Sequence, residues 1–294
     1  TITALAVHNN FLIIFCERNI VIYSGADNPL GNFVLADIIA GVGCVARDSL
    51  QSTGNDLLFL SGTGIRSLGR LIQEKSLPMR DLTRNVRDDF LDIVNAEITS
   101  NGNLDKVRSV YSEDNAFYLI SFPSTLTIYC LDMRSPLEDG SARVTNWQGS
   151  KIAAFLRTRD RAVFLGKDNG IGVYAGYSDN GASYRMKFFS NFIDMGDVTV
   201  KKILKRINVI AIGGNDQSFV IKSGYDYFGS TFSYPFVIDA GDISEYGIAE
   251  YGIAEYVAGV LVAKISSPAQ GSGEVVQIGF EANVAGKELS VQRI

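Results

Sequence analysis

One histidine, His8, stands in the 294 residues. A Ser-His-Asp or Cys-His centre would have to run through it. It sits beside Asn9 and Asn10 in a turn-like setting, so no catalytic residue is expected. Three cysteines, Cys16, Cys44 and Cys130, are odd in number, far apart and without a CxxC pair. A zinc site needs clustered ligands, so no metal and no cofactor are expected. The thiols read as small buried apolar groups, which implies folding in a reducing cytoplasm. No apolar run approaches the roughly 20 residues that cross a bilayer. No charged start precedes an apolar core, so neither a secretory signal nor membrane embedding is expected. Positive charge is also in deficit: Lys and Arg number 27 against 32 Asp and Glu, for a net charge of -5. A surface that grips nucleic acid needs many phosphate-neutralising cations. The mild acidity still allows DNA to pass near an acidic wall without being held.

What is present is apolar and repetitive. Hydrophobic residues make up 46% and charged residues 20%, the balance of a folded chain. The length suits one large all-β domain or two ordinary ones. The chain opens on Thr1 rather than Met, which fits a processed product or part of a longer chain. Its strand-like ending, LSVQRI, fits a missing C-terminal piece.

Phe11 to Gly25, FLIIFCERNIVIYSG, reads as an antiparallel hairpin with its turn at Glu17, Arg18 and Asn19. The plan recurs at Asp56 to Leu68, Ala116 to Leu131 and Ala162 to Gly176. Gly62 and Gly64, Pro123, and Asn169-Gly170 supply the three turns. The hairpins start roughly 45 to 60 residues apart, near the period of a propeller blade. Residues 1–180 are therefore expected to form a β-propeller-like domain, with ordinary hairpins in a sandwich as the plainer reading. Gly41 and Gly43 in GVGC suit a tight turn or bulge; no P-loop lysine follows them.

Between the second and third hairpins, MRDLTRNVRDDFLDIVNA predicts one inserted helix at about 79–96. Leu82, Val86, Phe90, Ile93 and Val94 form its apolar stripe. Asp81/Arg84 and Arg84/Asp88 are spaced for surface ion pairs. Packing onto its own domain is the plain expectation. An interface through Phe90, Arg84 and Asp88 is the sharper one.

After SDNGAS the texture changes, and 181–294 reads as a β-sandwich or small-barrel platform domain. Lys201, Lys202, Lys205 and Arg206 form a basic run. It is either a solvated face or a contact for phosphate or an acidic partner. EYGIAEYGIAEY repeats with period five, matching neither helix nor strand. Tyr246, Tyr251 and Tyr256 there are candidate anchors between domains or subunits, against the alternative of a slipped duplication. The adjacent carboxylates Asp88-Asp89 and Glu138-Asp139 do not by their spacing face each other across a cleft, as a glycosidase requires. KDNG and SDNG lack the rest of a calcium loop and read as turns.

Taken in order, TITALAVHNNFLIIFCERNIVIYSG, GVGCVARDSLQSTGNDLLFLSGTGIRSL, KKILK, EYGIAEYGIAEY and GSGEVVQIGFEANVAGKELSVQRI resemble the tail nozzle, or head-to-tail stopper, proteins of short-tailed bacteriophages. These proteins stabilise packaged DNA. The resemblance covers most of the chain in pattern, and its specificity lies in the order of the motifs. It implies a homo-oligomeric ring, commonly sixfold, below the portal and its adaptor protein, with tail fibre or tip proteins attached. It implies a propeller domain and β-rich platform domains around a channel through which dsDNA passes without tight binding. It implies a virion protein of the tail rather than an enzyme, and further sequence before the point matching Thr1. The alternative expectation is a propeller-type binding module for a host receptor or glycan.

Overall fold

The computed structural model describes residues 1–25, 33–73, 81–168, 170–213, 217–227, 231–237 and 262–293. The chain is mainly β, built from small antiparallel sheets and two α-helices among these residues. It divides into two units, Thr1–Tyr174 and Ala175–Ile294.

The first unit is a series of meanders. Strands β1 (Ile2–His8), β2 (Phe11–Cys16), β3 (Asn19–Ser24) and β4 (Val34–Ala40) pair in chain order. Asn9 and Asn10 turn the chain between β1 and β2 at φ 49° and 64°. Asparagine enters this left-handed region at low cost, which is the geometry a two-residue hairpin demands. Gly43 follows the sheet where a Cβ would lie 1.9 Å from the Cys16 carbonyl oxygen, so only glycine fits.

The second meander begins with a 3₁₀ turn, Arg47–Ser49, and holds β5 (Gln51–Ser52), β6 (Leu57–Ser61) and β7 (Gly64–Ser67). Helix α1 (Leu68–Gln73) follows directly. The third meander pairs β8 (Arg108–Ser112), β9 (Phe117–Phe122), β10 (Thr127–Asp132) and β11 (Arg143–Gln148). The fourth pairs β12 (Ile152–Arg157), β13 (Val163–Lys167) and β14 (Gly170–Val173). The four hairpins read from the sequence are β2–β3, β6–β7, β9–β10 and β13–β14. Asn169, expected in the last turn, lies outside the described residues.

Strand alternation makes each inner meander two-faced. From β6, Leu57 and Phe59 join Ile13, Phe15, Ile20 and Ile22 of the first sheet in one core. Leu58 and Leu60 point the other way and join Tyr118, Ile120, Phe122 and Tyr129 of the third sheet. The opposite face of the third sheet, with Val110, Leu119 and Cys130, packs on Val163, Phe155 and Leu165 of the fourth. The meanders therefore stack face to face in chain order.

Helix α2 (Arg87–Asn101) closes the seam between the second and third sheets. It starts later than the sequence predicts, because Arg84–Val86 winds as a 3₁₀ turn first. Gly102, at φ 75°, ends it and donates its N–H to the Ile98 carbonyl at 2.7 Å. Its stripe faces its own unit: Phe90 and Val94 are buried, with Val86 and Ile93 packed beside them.

Among the described residues, the second unit has two sheets. One contains β15 (Tyr184–Phe189), β17 (Ser218–Tyr225), β18 (Thr231–Val237) and β20 (Val276–Val284), in the order β15-β20-β17-β18. The other contains β16 (Arg206–Gly213), β19 (Val262–Pro268) and β21 (Leu289–Arg293), with β16 central. Ile207 and Val209 from the second sheet share one core with Phe219, Ile221, Phe280 and Ala282 from the first. The last two strands, β20 and β21, are adjacent in sequence but belong to different sheets.

Candidate functional site

The first segment of each meander reaches one place. Strand β1, the Arg47–Ser49 turn with β5, strand β8 and strand β12 line a cavity of about 670 Å³. Three hydrogen bonds fix the junction of the second and third meanders there. Gln51 Nε2 donates to the Ser109 carbonyl at 3.1 Å, and Ser109 Oγ donates to the Asp48 carbonyl at 2.7 Å. The buried Tyr118 hydroxyl donates to the Ser49 carbonyl at 2.6 Å. Ser121 Oγ donates to the Ile152 carbonyl at 3.1 Å and ties the third meander to the fourth.

The wall carries three charges. Arg47 Nε lies 2.9 Å from Asp48 Oδ1, and Arg108 Nη1 lies 3.0 Å from Asp48 Oδ2. The hydrogen bond from Arg47, with the charge of Arg108, holds the Asp48 carboxyl below its ordinary range against partial desolvation. Two guanidinium groups against one carboxylate leave a single positive charge at the wall. Thr3 Oγ1 is buried at this wall with no hydrogen-bond partner. Such a wall can seat a polar or anionic group. Asp48 is the one carboxylate among the described lining residues, whereas glycoside hydrolysis uses two.

The residues expected from sequence are dispersed. Phe90 is fully buried, edge-on to Phe122 at 5.7 Å and to Tyr129 at 5.0 Å. This corrects its reading as an interface residue, since its ring has no surface to offer. Arg84 and Asp88 are exposed. Asp81, paired by spacing with Arg84, is bonded instead to Arg87. The 3₁₀ turn at Arg84–Val86 replaces the helical spacing that would align Arg84 with it. Asp88 and Asp89 occupy the first turn of α2, where acidic groups favour the helix dipole. Asp139 Oδ1 accepts from the N–H and Oγ of Ser141 at 2.9 and 2.6 Å, so it serves a turn.

In the second unit, the basic run is not helical: residues 201–205 are irregular apart from an isolated bridge at Lys202, and Arg206 opens β16. Lys202 bridges Gly273 through its backbone, and its ammonium donates to the Asp197 and Glu274 carbonyls. That occupies Lys202 locally. Lys201, Lys205 and Arg206 remain exposed. Tyr246, Tyr251 and Tyr256 lie outside the described residues. Among the described residues no group of His, Cys, Asp and Glu is arranged to hold a metal, and no helix is long and apolar enough to cross a membrane.

Sequence reasoning missed Arg47, Asp48 and Arg108. Nothing in ARDSL marks a cavity wall, because Arg108 arrives from a strand 60 residues further along the chain than Asp48. It also missed that, among the described residues, the first sheet exposes Leu5, Val7 and Ile38. The signal for that was present: FLIIF and NIVIY are apolar at successive positions, the pattern of a strand covered on both sides. No protein-family model matches the chain, and no curated protein matches it.

Proposed function

We propose that the chain is a structural subunit of a bacteriophage tail. Copies form an oligomeric ring, sixfold in the family it resembles, whose channel retains packaged dsDNA and later releases it. The first unit is read as propeller-like and the second as a sandwich platform. The observation that carries this reading is the serial stack of four meanders whose first segments share one cavity. Blades of a propeller have this order, with the first strand innermost. A stack joined by continuous apolar cores is a stiff wall element, and rings are built from such elements through repeated lateral contacts. The net charge of -5 suits a channel that DNA must leave. The reading requires no catalytic step. Its partners are further copies, a portal adaptor and tail fibre or tip proteins, and its place is the virion tail after folding in the host cytoplasm.

Mass measurement of the purified chain, alone and with the portal adaptor, tests the reading. Rings or concentration-dependent assemblies are expected. A chain that stays monomeric in both conditions contradicts it. A second reading, a module that binds a receptor or glycan, is favoured by the polar cavity wall at Arg47, Asp48 and Arg108. Glycan binding abolished by Arg108→Ala would establish that alternative in place of the ring.

A further inference from the structure

Asparagine precedes glycine at Asn101, Asn169 and Asn180. In such a pair the glycine nitrogen reaches the asparagine side-chain carbonyl freely, because glycine brings no Cβ to obstruct it. Asn169 lies outside the described residues, and the fold gives the other two opposite settings. Asn101 ends α2. Its Nδ2 donates to Glu97 Oε1 at 2.7 Å and to Ser124 Oγ, and its Oδ1 accepts from Lys106 Nζ at 2.6 Å. Glu97 is fully buried and also accepts from the Ser124 N–H at 2.9 Å, so the amide is tied to a fixed group. The Gly102 nitrogen that would attack Asn101 donates to the Ile98 carbonyl at 2.7 Å. Neither amide nor nucleophile moves unless the helix end frays.

Asn180 and Gly181 are the two central residues of a tight turn, with φ 51° and 82°. Asp179 and Ala182 exchange both backbone hydrogen bonds across it at 2.9 Å, as an isolated bridge outside any strand. Those bonds use the N–H groups of Asp179 and Ala182 and leave that of Gly181 aside. A Cβ at Gly181 would meet nothing within 4 Å, and all four turn residues are exposed. A turn held by two bonds opens locally at far lower cost than a helix end packed on a core. Opening frees ψ of Asn180 to bring the Gly181 nitrogen onto its Cγ.

We propose that Asn180 is a site of spontaneous modification in the folded chain, and that the fold protects Asn101 from the same reaction. The Gly181 nitrogen, losing its proton to solvent base, bonds to Asn180 Cγ. The Cγ–Nδ2 bond breaks, ammonia leaves and a succinimide closes. Water then opens the ring, giving aspartate by attack at Cγ and isoaspartate by attack at the Asn180 backbone carbonyl. Either product adds a carboxylate beside Asp179. Isoaspartate also inserts a methylene into the main chain, which a two-residue turn does not absorb while keeping both bonds. The altered turn stands directly before β15 (Tyr184–Phe189).

The test incubates the full chain in mildly alkaline buffer, native and in urea, and follows each amide by tandem mass spectrometry. Fragment spectra separate Asn180 from Asn169, which share the tryptic peptide from Asp168 to Arg185. In the native chain Asn180 is expected to lose ammonia at least about tenfold faster than Asn101. Urea is expected to bring Asn101 up to the rate of Asn180. Lys106→Ala with Ser124→Ala, which unties the Asn101 amide, is expected to speed that site and leave Asn180 unchanged. A native chain in which Asn180 reacts no faster than Asn101 would overturn the proposal. So would urea that speeds Asn180 as much as Asn101, or a double variant in which Asn101 reacts no faster than in the wild type.

Discussion

Replacing Phe90 with alanine separates a core helix from an interface helix. The ring is fully buried between two sheets and touches Phe122 and Tyr129 at interplanar angles of 82° and 66°. Truncation removes its burial and both edge-on pairs, each pair being worth about 0.5–1.5 kcal/mol. It also opens a cavity that α2, capped by Gly102 and held at both seams, cannot fill by shifting. The expected cost is about 3–5 kcal/mol. For a unit of this size each kcal/mol lowers Tm by about 2–4 °C, so a fall of roughly 6–20 °C is expected. Calorimetry and urea unfolding read it directly. Asp88→Ala, exposed in the first turn, should cost less than about 1 kcal/mol. A Phe90→Ala protein within about 1 kcal/mol of wild type, yet unable to assemble, would refute the placement of α2.

Three further outcomes follow from the geometry. Tyr118→Phe leaves the Ser49 carbonyl without its 2.6 Å donor and should cost about 1–2 kcal/mol in urea; no loss would mean that the bond does not hold the second and third meanders. Burial raises the Glu281 carboxyl, but hydrogen bonds from Arg185 and Lys222 outweigh this and leave it below its ordinary range. Its contribution is therefore present above the unfolded carboxylate pKa of about 4.3 and fades as pH falls through the lower folded value. Glu281→Gln should cost about 1–2 kcal/mol at neutral pH, a figure reduced for the exposed Arg185, and progressively less in acid; a pH-independent cost would contradict the assignment. Burial pushes the Cys130 thiol up to about 12, so iodoacetamide should modify half-buried Cys16 well before Cys130, and equal rates in the native protein would count against the third-sheet core.

The elements legible in the sequence were those decided locally. The polar break at Glu17, Arg18 and Asn19 specifies a turn through backbone preferences, and the hairpin β2–β3 formed around it; Asn9 and Asn10, read only as turn-like, also join a second pair, β1–β2. Phe90, Ile93 and Val94 found their core because helical spacing brings them to one side, while Leu82 and Val86, which precede the helix, reach the same core through the turn before it. The start of α2 was misplaced because the 3₁₀ turn at Arg84–Val86 is set by tertiary contacts, including the Asn85 amide on the Ala142 carbonyl. The cavity was not legible, since Arg47 and Arg108 meet only when separate meanders converge. The exposed residues of the first sheet show a subtler limit. LLFLS in β6 and FLIIFC in β2 have the same apolar pattern, yet the first is buried throughout and the second on one side. Pattern announces that both faces want cover, while the partner is supplied by whatever packs there.

The most direct measurement of the nozzle reading is an image reconstruction of the intact virion. It should show this chain as a ring around the DNA channel below the portal adaptor, with the meander stack forming wall. Density for the chain at a fibre tip, or a tail with no copy of it around the channel, would contradict that reading.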